Sequence, residues 1–164
     1  MNYIKEIGRI LAVLALQVLL FDRLHIGNWG MSMMYILCLI NLPIRIPRWA
    51  EMLIGCGIGL VMDIWHVSLG VHMAACVAIC FARPLLLNKS IQDLERIKEN
   101  LSSQTIGWME YAKITTILTV LHHFLIYALE TWNMQFWWII VIQTLISSAL
   151  TLSIIFGYEY TKRR

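Results

Sequence analysis

The chain has 164 residues, 59% of them hydrophobic and 14% charged, with a mean hydropathy of +0.69. That balance excludes an ordinary soluble domain and predicts an integral membrane protein. The formal net charge of +3 carries less information than the position of the basic residues, and no nucleic-acid partner is expected.

Six apolar segments follow one another, at about Ile4 to Phe21, Gly30 to Ile44, Trp49 to Trp65, Leu69 to Leu87, Tyr111 to Leu129 and Phe136 to Tyr158. Measured against the ~20 residues of a spanning helix, the second and third are short. The expectation is an all-α polytopic protein with six transmembrane helices, five being the alternative, forming a single transmembrane domain over residues 1–164. Placing the amino terminus in the cytoplasm puts every lysine and arginine inside except Arg23, in keeping with the positive-inside rule. A rival topology, in which Gly30 to Ile44 does not cross, leaves Lys5 and Arg9 outside instead. Both agree that the segment Lys89 to Glu110 and the basic tail are cytoplasmic and that the turn from Trp65 to Leu69 is external. Trp29, Trp49, Trp65, Trp108, Trp132, Trp137 and Trp138 all fall at proposed helix ends, where amphipathic rings suit the headgroup layer.

The first segment ends in Phe21-Asp22-Arg23 with no small-x-small site after it, so it reads as a retained helix and not as a cleaved signal. In the third, Gly55, Gly59 and Asp63 lie at i, i+4 and i+8 on one helical face. Small residues at that spacing admit a neighbouring helix, and an aspartate facing hydrocarbon would cost roughly 2.5–3.5 kcal/mol, so Asp63 is expected to point toward protein. Cys38, Cys56, Cys76 and Cys80 sit in apolar segments without CxxC or Cys/His metal spacing, and no metal or other cofactor is predicted.

Residues 88–110 form the one sizeable polar stretch. Ser90 and Asp93 suggest a capping box ahead of Ile91, Leu94, Ile97 and Leu101, an amphipathic helix at the inner membrane surface that either lies on lipid as a connector or docks a cytoplasmic partner. The fifth segment carries a polar stripe at Thr116, Thr119, His123, Tyr127 and Glu130, with His122 beside it near mid-membrane. Such groups are expected to face the bundle, where a neutral His123 would hydrogen-bond to another helix. Gln143, Thr144, Ser147, Ser148 and Thr151 give the sixth segment a similar face, for which helix packing is the simpler account.

Gly55-x-x-x-Gly59-Leu60-x-x-Asp63, followed after a short turn by Leu69-Gly70-x-His72, resembles the signature of the rod shape-determining protein MreD family. Gln17 in the first helix, the chain length and the number of apolar segments are similar to that family as well, while Trp65-His66 departs from the apolar and small residues common there. The resemblance implies a bacterial inner-membrane subunit of the cell-elongation machinery with both termini cytoplasmic. Its implied partners are an MreC-like membrane protein, an MreB-like actin homologue, RodA and a class B transpeptidase of peptidoglycan synthesis. The family is also loosely similar in architecture to the substrate-binding membrane subunits of vitamin-uptake transporters.

Two function classes follow. No Ser/His/Asp set, HExxH, phosphate loop or paired catalytic carboxylates occur, which favours a non-catalytic scaffold whose helix-packing and partner face comprises Gly55, Gly59, Asp63, Gly70 and His72. The alternative is a small-solute transporter subunit that arranges Asp63, His66, His72 and the His123 stripe around a polar cavity.

Overall fold

The computed structural model describes residues 3–24, 27, 29–44, 46–90, 101–131 and 137–163. Those residues form helices α1 (Tyr3–Leu19), α2 (Ile36–Ile40), α3 (Arg48–His66), α4 (Val71–Ser90), α5 (Ser103–Ile106), α6 (Trp108–Thr131) and α7 (Trp137–Arg163), with a 3-10 turn at Phe21–Arg23 and no extended strand among them. By length and composition three helices can cross a membrane: Val71–Lys89, Trp108–Thr131 and Trp137–Lys162. Large apolar side chains point outward all round, among them Leu11, Leu53, Ile64, Phe81, Phe124 and Leu145, as a surface solvated by lipid requires.

Of the six spanning helices expected, three have the length and composition of a span among the described residues. α1 has 17 described residues, α3 carries buried Glu51 and Asp63, and the second apolar segment contributes only the five helical residues of α2. Hydropathy marked Gly30 to Ile44 as a span because it is apolar, yet residues 32–43 are all buried within the protein. Pro43 limits its helix on the carboxy-terminal side, since the residue before a proline is biased away from the α conformation.

Most of this buried run is irregular, so its backbone polar groups need partners from elsewhere. Side chains supply them. Ser147 Oγ and Thr151 Oγ1 on α7 accept from the amides of Met31 and Met33, each at 3.1 Å. Gln17 Oε1 on α1 accepts from Met34 and Tyr35 at 2.6 and 3.3 Å, while its Nε2 donates to the Ser32 carbonyl at 2.9 Å. Beyond α2, Arg9 donates to the Asn41 carbonyl and Arg83 to those of Ile40 and Leu42. Non-helical backbone at membrane depth is tolerated only where protein surrounds it in this way. The polar face of α7, expected to join helices, does so through Ser147 to Tyr127 and Thr151 to His123 on α6, and the same two hydroxyls bind main chain as well.

Around this run α4 packs on α3 at one side and on α6 at the other, and α7 packs on α6. The buried face of α6 comprises Tyr111, Ile114, Thr115, Leu118, Thr119, His122, His123, Ile126 and Tyr127, a regular alternation of three and one that keeps one helical side inward. At the α3–α4 turn Val67 takes φ +56°, an uncommon conformation for a β-branched residue, and Val67 and Leu69 are 86% and 102% exposed. Residues 91–100, where an amphipathic helix with its Ser90–Asp93 cap was expected, lie outside the described residues; Ser90 is the last residue of α4. A capping box does occur just beyond, where Ser102 Oγ accepts from the Gln104 amide at 3.2 Å and Thr105 Oγ1 accepts from the Ser102 amide at 2.9 Å.

Candidate functional site

Gly55 and Gly59 form the contact of α3 with α4. A Cβ on Gly59 would lie 2.7 Å from the Met73 nitrogen and 2.8 Å from the His72 oxygen, and one on Gly55 would lie 2.6 Å from Cys80 Sγ and 3.1 Å from the Cys76 oxygen. Around Gly57, one face away, there is open space. Backbone approach this close is what small residues permit between helices.

Asp63 continues the same face and ends the contact. Its Oδ1 accepts from Ser68 Oγ at 2.6 Å and from the His72 amide at 2.9 Å; its Oδ2 accepts from the Met73 amide at 2.9 Å. Those amides belong to the first turn of α4, whose donors lack intrahelical partners, so the carboxylate caps α4 from the preceding helix and answers its dipole. Asp63 points into protein, as its cost in lipid requires. Gly70 has a different role from the packing expected of it: at φ +86° it makes the turn into α4, and a Cβ there would meet only Met73 Cε, at 3.7 Å.

From His72 a chain of polar groups runs through the bundle. His72 Nδ1 is 2.8 Å from the Tyr35 hydroxyl, which lies 3.1 Å from His122 Nε2. All three side chains are buried. One phenol hydrogen serves two imidazoles, so Tyr35 donates to one ring and accepts from the other. His122 Nδ1 has no hydrogen-bond partner; the arrangement in which His122 donates through Nε2 leaves there a bare acceptor and avoids a stranded N–H, the rarer defect. Beside it His123 donates from Nδ1 to the Thr119 carbonyl at 2.8 Å, and its Nε2 is 3.2 Å from Thr151 Oγ1. Since Nδ1 holds the proton, Nε2 accepts from Thr151, whose oxygen in turn accepts from Met33. Tyr127 closes the row with its hydroxyl 2.6 Å from Ser147 Oγ.

The expected stripe on α6 is thus only partly a core feature. Thr119, His123 and Tyr127 are buried, Thr116 is half-buried and Glu130 is exposed. His122, placed beside the stripe, is the more central of the two histidines. Toward the α3–α4 turn His66 stacks on His72 with ring centroids 5.0 Å apart and approaches Asp22 at 3.6 Å. Asp22 also accepts from Gln17 Nε2 and Trp65 Nε1, both at 2.7 Å, so Trp65 is tied to the fold as well as sited at a helix end. These groups border a cavity of about 550 Å³ whose polar lining includes Asp22, His66, Tyr127, Glu130 and Gln143. Among the described residues no three His, Cys, Asp or Glu side chains converge as a metal cage.

A second polar centre lies toward the termini. Arg83 Nη1 donates to Glu51 Oε1 at 2.7 Å, with the two side chains 1% and 2% exposed, and Tyr111 donates to Asn41 Oδ1 at 3.2 Å. Counted along the sequence, Arg83 was one of the inside charges; in the structure it is a buried bond to α2 and α3. Tyr35, Asp22, Glu51 and Arg83 were not singled out from the sequence. The available signal was an arginine and a glutamate inside apolar runs, where ionisable groups call for a partner. No protein-family model matches this chain, and no match is found among curated proteins or solved structures.

Proposed function

We propose that this chain is a non-catalytic scaffold subunit in the bacterial inner membrane, serving the cell-elongation machinery, with both termini in the cytoplasm. The observation that carries the reading is the use of Asp63. The carboxylate of the motif resembling the MreD family is engaged within the chain by Ser68, His72 and Met73, which suits a device that fixes two helices and leaves outward apolar faces for other membrane proteins. An MreC-like protein is the proposed direct partner, with RodA, a class B transpeptidase and an MreB-like filament in the same assembly.

In this reading the chain traverses the bilayer six times, and the second passage is the irregular run at 30–44. Gly30 borders the cavity beside the α3–α4 turn and Asn41 bonds to Arg9 in the first half of α1, which supports a passage toward the opposite side of the bundle. Co-expression of the full chain with the MreC-like protein of the same genome, followed by purification in mild detergent, tests the proposal. Stable co-elution is expected; a folded chain that elutes alone overturns it.

The cavity lined by Asp22, His66, Tyr127, Glu130 and Gln143 favours a second reading, a small-solute-binding transporter subunit akin to those of vitamin uptake. Co-elution with a transporter energising unit, together with solute uptake that depends on Glu130, is the outcome that selects it.

A further inference from the structure

A groove of about 360 Å³ lies between α1 and α7. Its floor is the buried run Met34, Leu37 and Cys38, and its rim includes the exposed Ala12, Leu16 and Tyr158. α1 meets the rest of the bundle mainly through the 3-10 turn and α2, which leaves its side toward α7 uncovered. Arg9 and Lys162, from the first half of α1 and the end of α7, border the same groove. Arg9 Nη2 donates to the Asn41 carbonyl at 3.1 Å and lies 2.7 Å from Glu6 Oε2; this fixes the guanidinium while Nε and Nη1 keep further donors.

We propose that the groove holds one acyl chain of an anionic phospholipid whose phosphate lies between Arg9 and Lys162. The groove suits a narrow, flexible apolar chain: at ~30 Å³ for a water-sized group, its 360 Å³ corresponds to about a dozen methylenes. Charge selects the headgroup: two cations against the one carboxylate of Glu6 leave a positive mouth, and basic residues at a membrane surface attract anionic lipid. An apolar channel alone would take any lipid, whereas the paired cations favour a net negative one.

The test titrates the purified full chain in mild detergent with phosphatidylglycerol and with phosphatidylcholine of identical acyl chains, read by native mass spectrometry. One saturable phosphatidylglycerol adduct is expected, retained about tenfold more strongly than phosphatidylcholine. Arg9→Ala with Lys162→Ala should remove that preference. Ala12→Trp, at an exposed rim position, should lower the adduct while both cations remain, and Lys113→Ala should leave it unchanged. Glycerol phosphate should not compete. Equal retention of both lipids, unsaturable adducts indifferent to the groove variants, or displacement by glycerol phosphate would each overturn the proposal.

Discussion

Arg83 of α4 and Glu51 of α3 form an ion pair at 2.7 Å that is almost wholly buried, and the same guanidinium holds the carbonyls of Ile40 and Leu42. One side chain thereby joins two helices to the end of the irregular run. Its planar fork can serve several acceptors at once, which a lysine ammonium does less well.

Arg83→Met should destabilise the chain by ~3–5 kcal/mol, because removing one partner of a buried pair strands the other charge. Arg83→Lys should fall between wild type and Met. Thermal unfolding in detergent reads the order, with the exposed Arg48→Met as a near-neutral control; a double change to Met at 83 and Leu at 51 should recover part of the loss.

Gly59→Ala should already lower the unfolding temperature, and Gly59→Leu should prevent α3 from docking, since even a Cβ at Gly59 meets Met73 backbone. Gly57→Ala should be neutral or slightly stabilising through helix propensity. Equal effects at both positions, at matched expression, would show the packing face to be misassigned.

Asp63→Asn should be milder than Asp63→Leu, yet not silent. An asparagine oxygen in place of Oδ1 still accepts from Ser68 and His72, but its amide then faces the Met73 N–H. Leucine leaves all three donors unpaired at ~1–3 kcal/mol each. Comparing unfolding temperatures of the two variants checks the order.

Tyr35→Phe should cost ~1–3 kcal/mol by stranding buried imidazole nitrogens, with wild-type helicity retained. Thr151→Val should cost a similar amount, as it removes the acceptor of Met33 and the partner of His123. Thr161→Val, on an exposed position of the same helix, is the control for both, and circular dichroism melting resolves them.

Accessibility of single cysteines, introduced at Leu69 and at Lys162 in a background with the native cysteines replaced, should show opposite sides of the membrane: external at the α3–α4 turn and cytoplasmic at the end of α7. Labelling of both from the same side would overturn the topology.

The glycine face of α3 was legible because helical spacing and the cost of a lipid-facing carboxylate lead to the same side of one helix. An acceptor role for Asp63 toward the Trp65 to His72 region or a partner helix was legible too; that its donors include the first-turn amides of α4 was not, since they depend on the turn that Gly70 and Val67 make. Ser147 and Thr151 were visible as a polar face, but spacing within a helix does not identify a partner more than 100 residues away. That Gly30 to Ile44 is interior and mostly non-helical was hidden for a related reason: apolar side chains are equally at home in lipid and in the middle of a protein. Arg83 and Glu51 escaped notice because a count of charges by loop treats each alone, whereas their burial is possible only as a pair.

The buried run at 30–44 also bears on how the chain can be assembled. It emerges from the ribosome early, but the hydroxyls that receive the Met31 and Met33 amides belong to the last helix. Until α7 is inserted, those amides need water or some temporary acceptor, so the nascent chain must keep this region near the membrane surface or shielded by insertion factors. Closure of the interior is then a late, cooperative event gated by the carboxy-terminal helix. A chain interrupted before Ser147 would lack the acceptors of the Met31 and Met33 amides and leave that main chain unpaired.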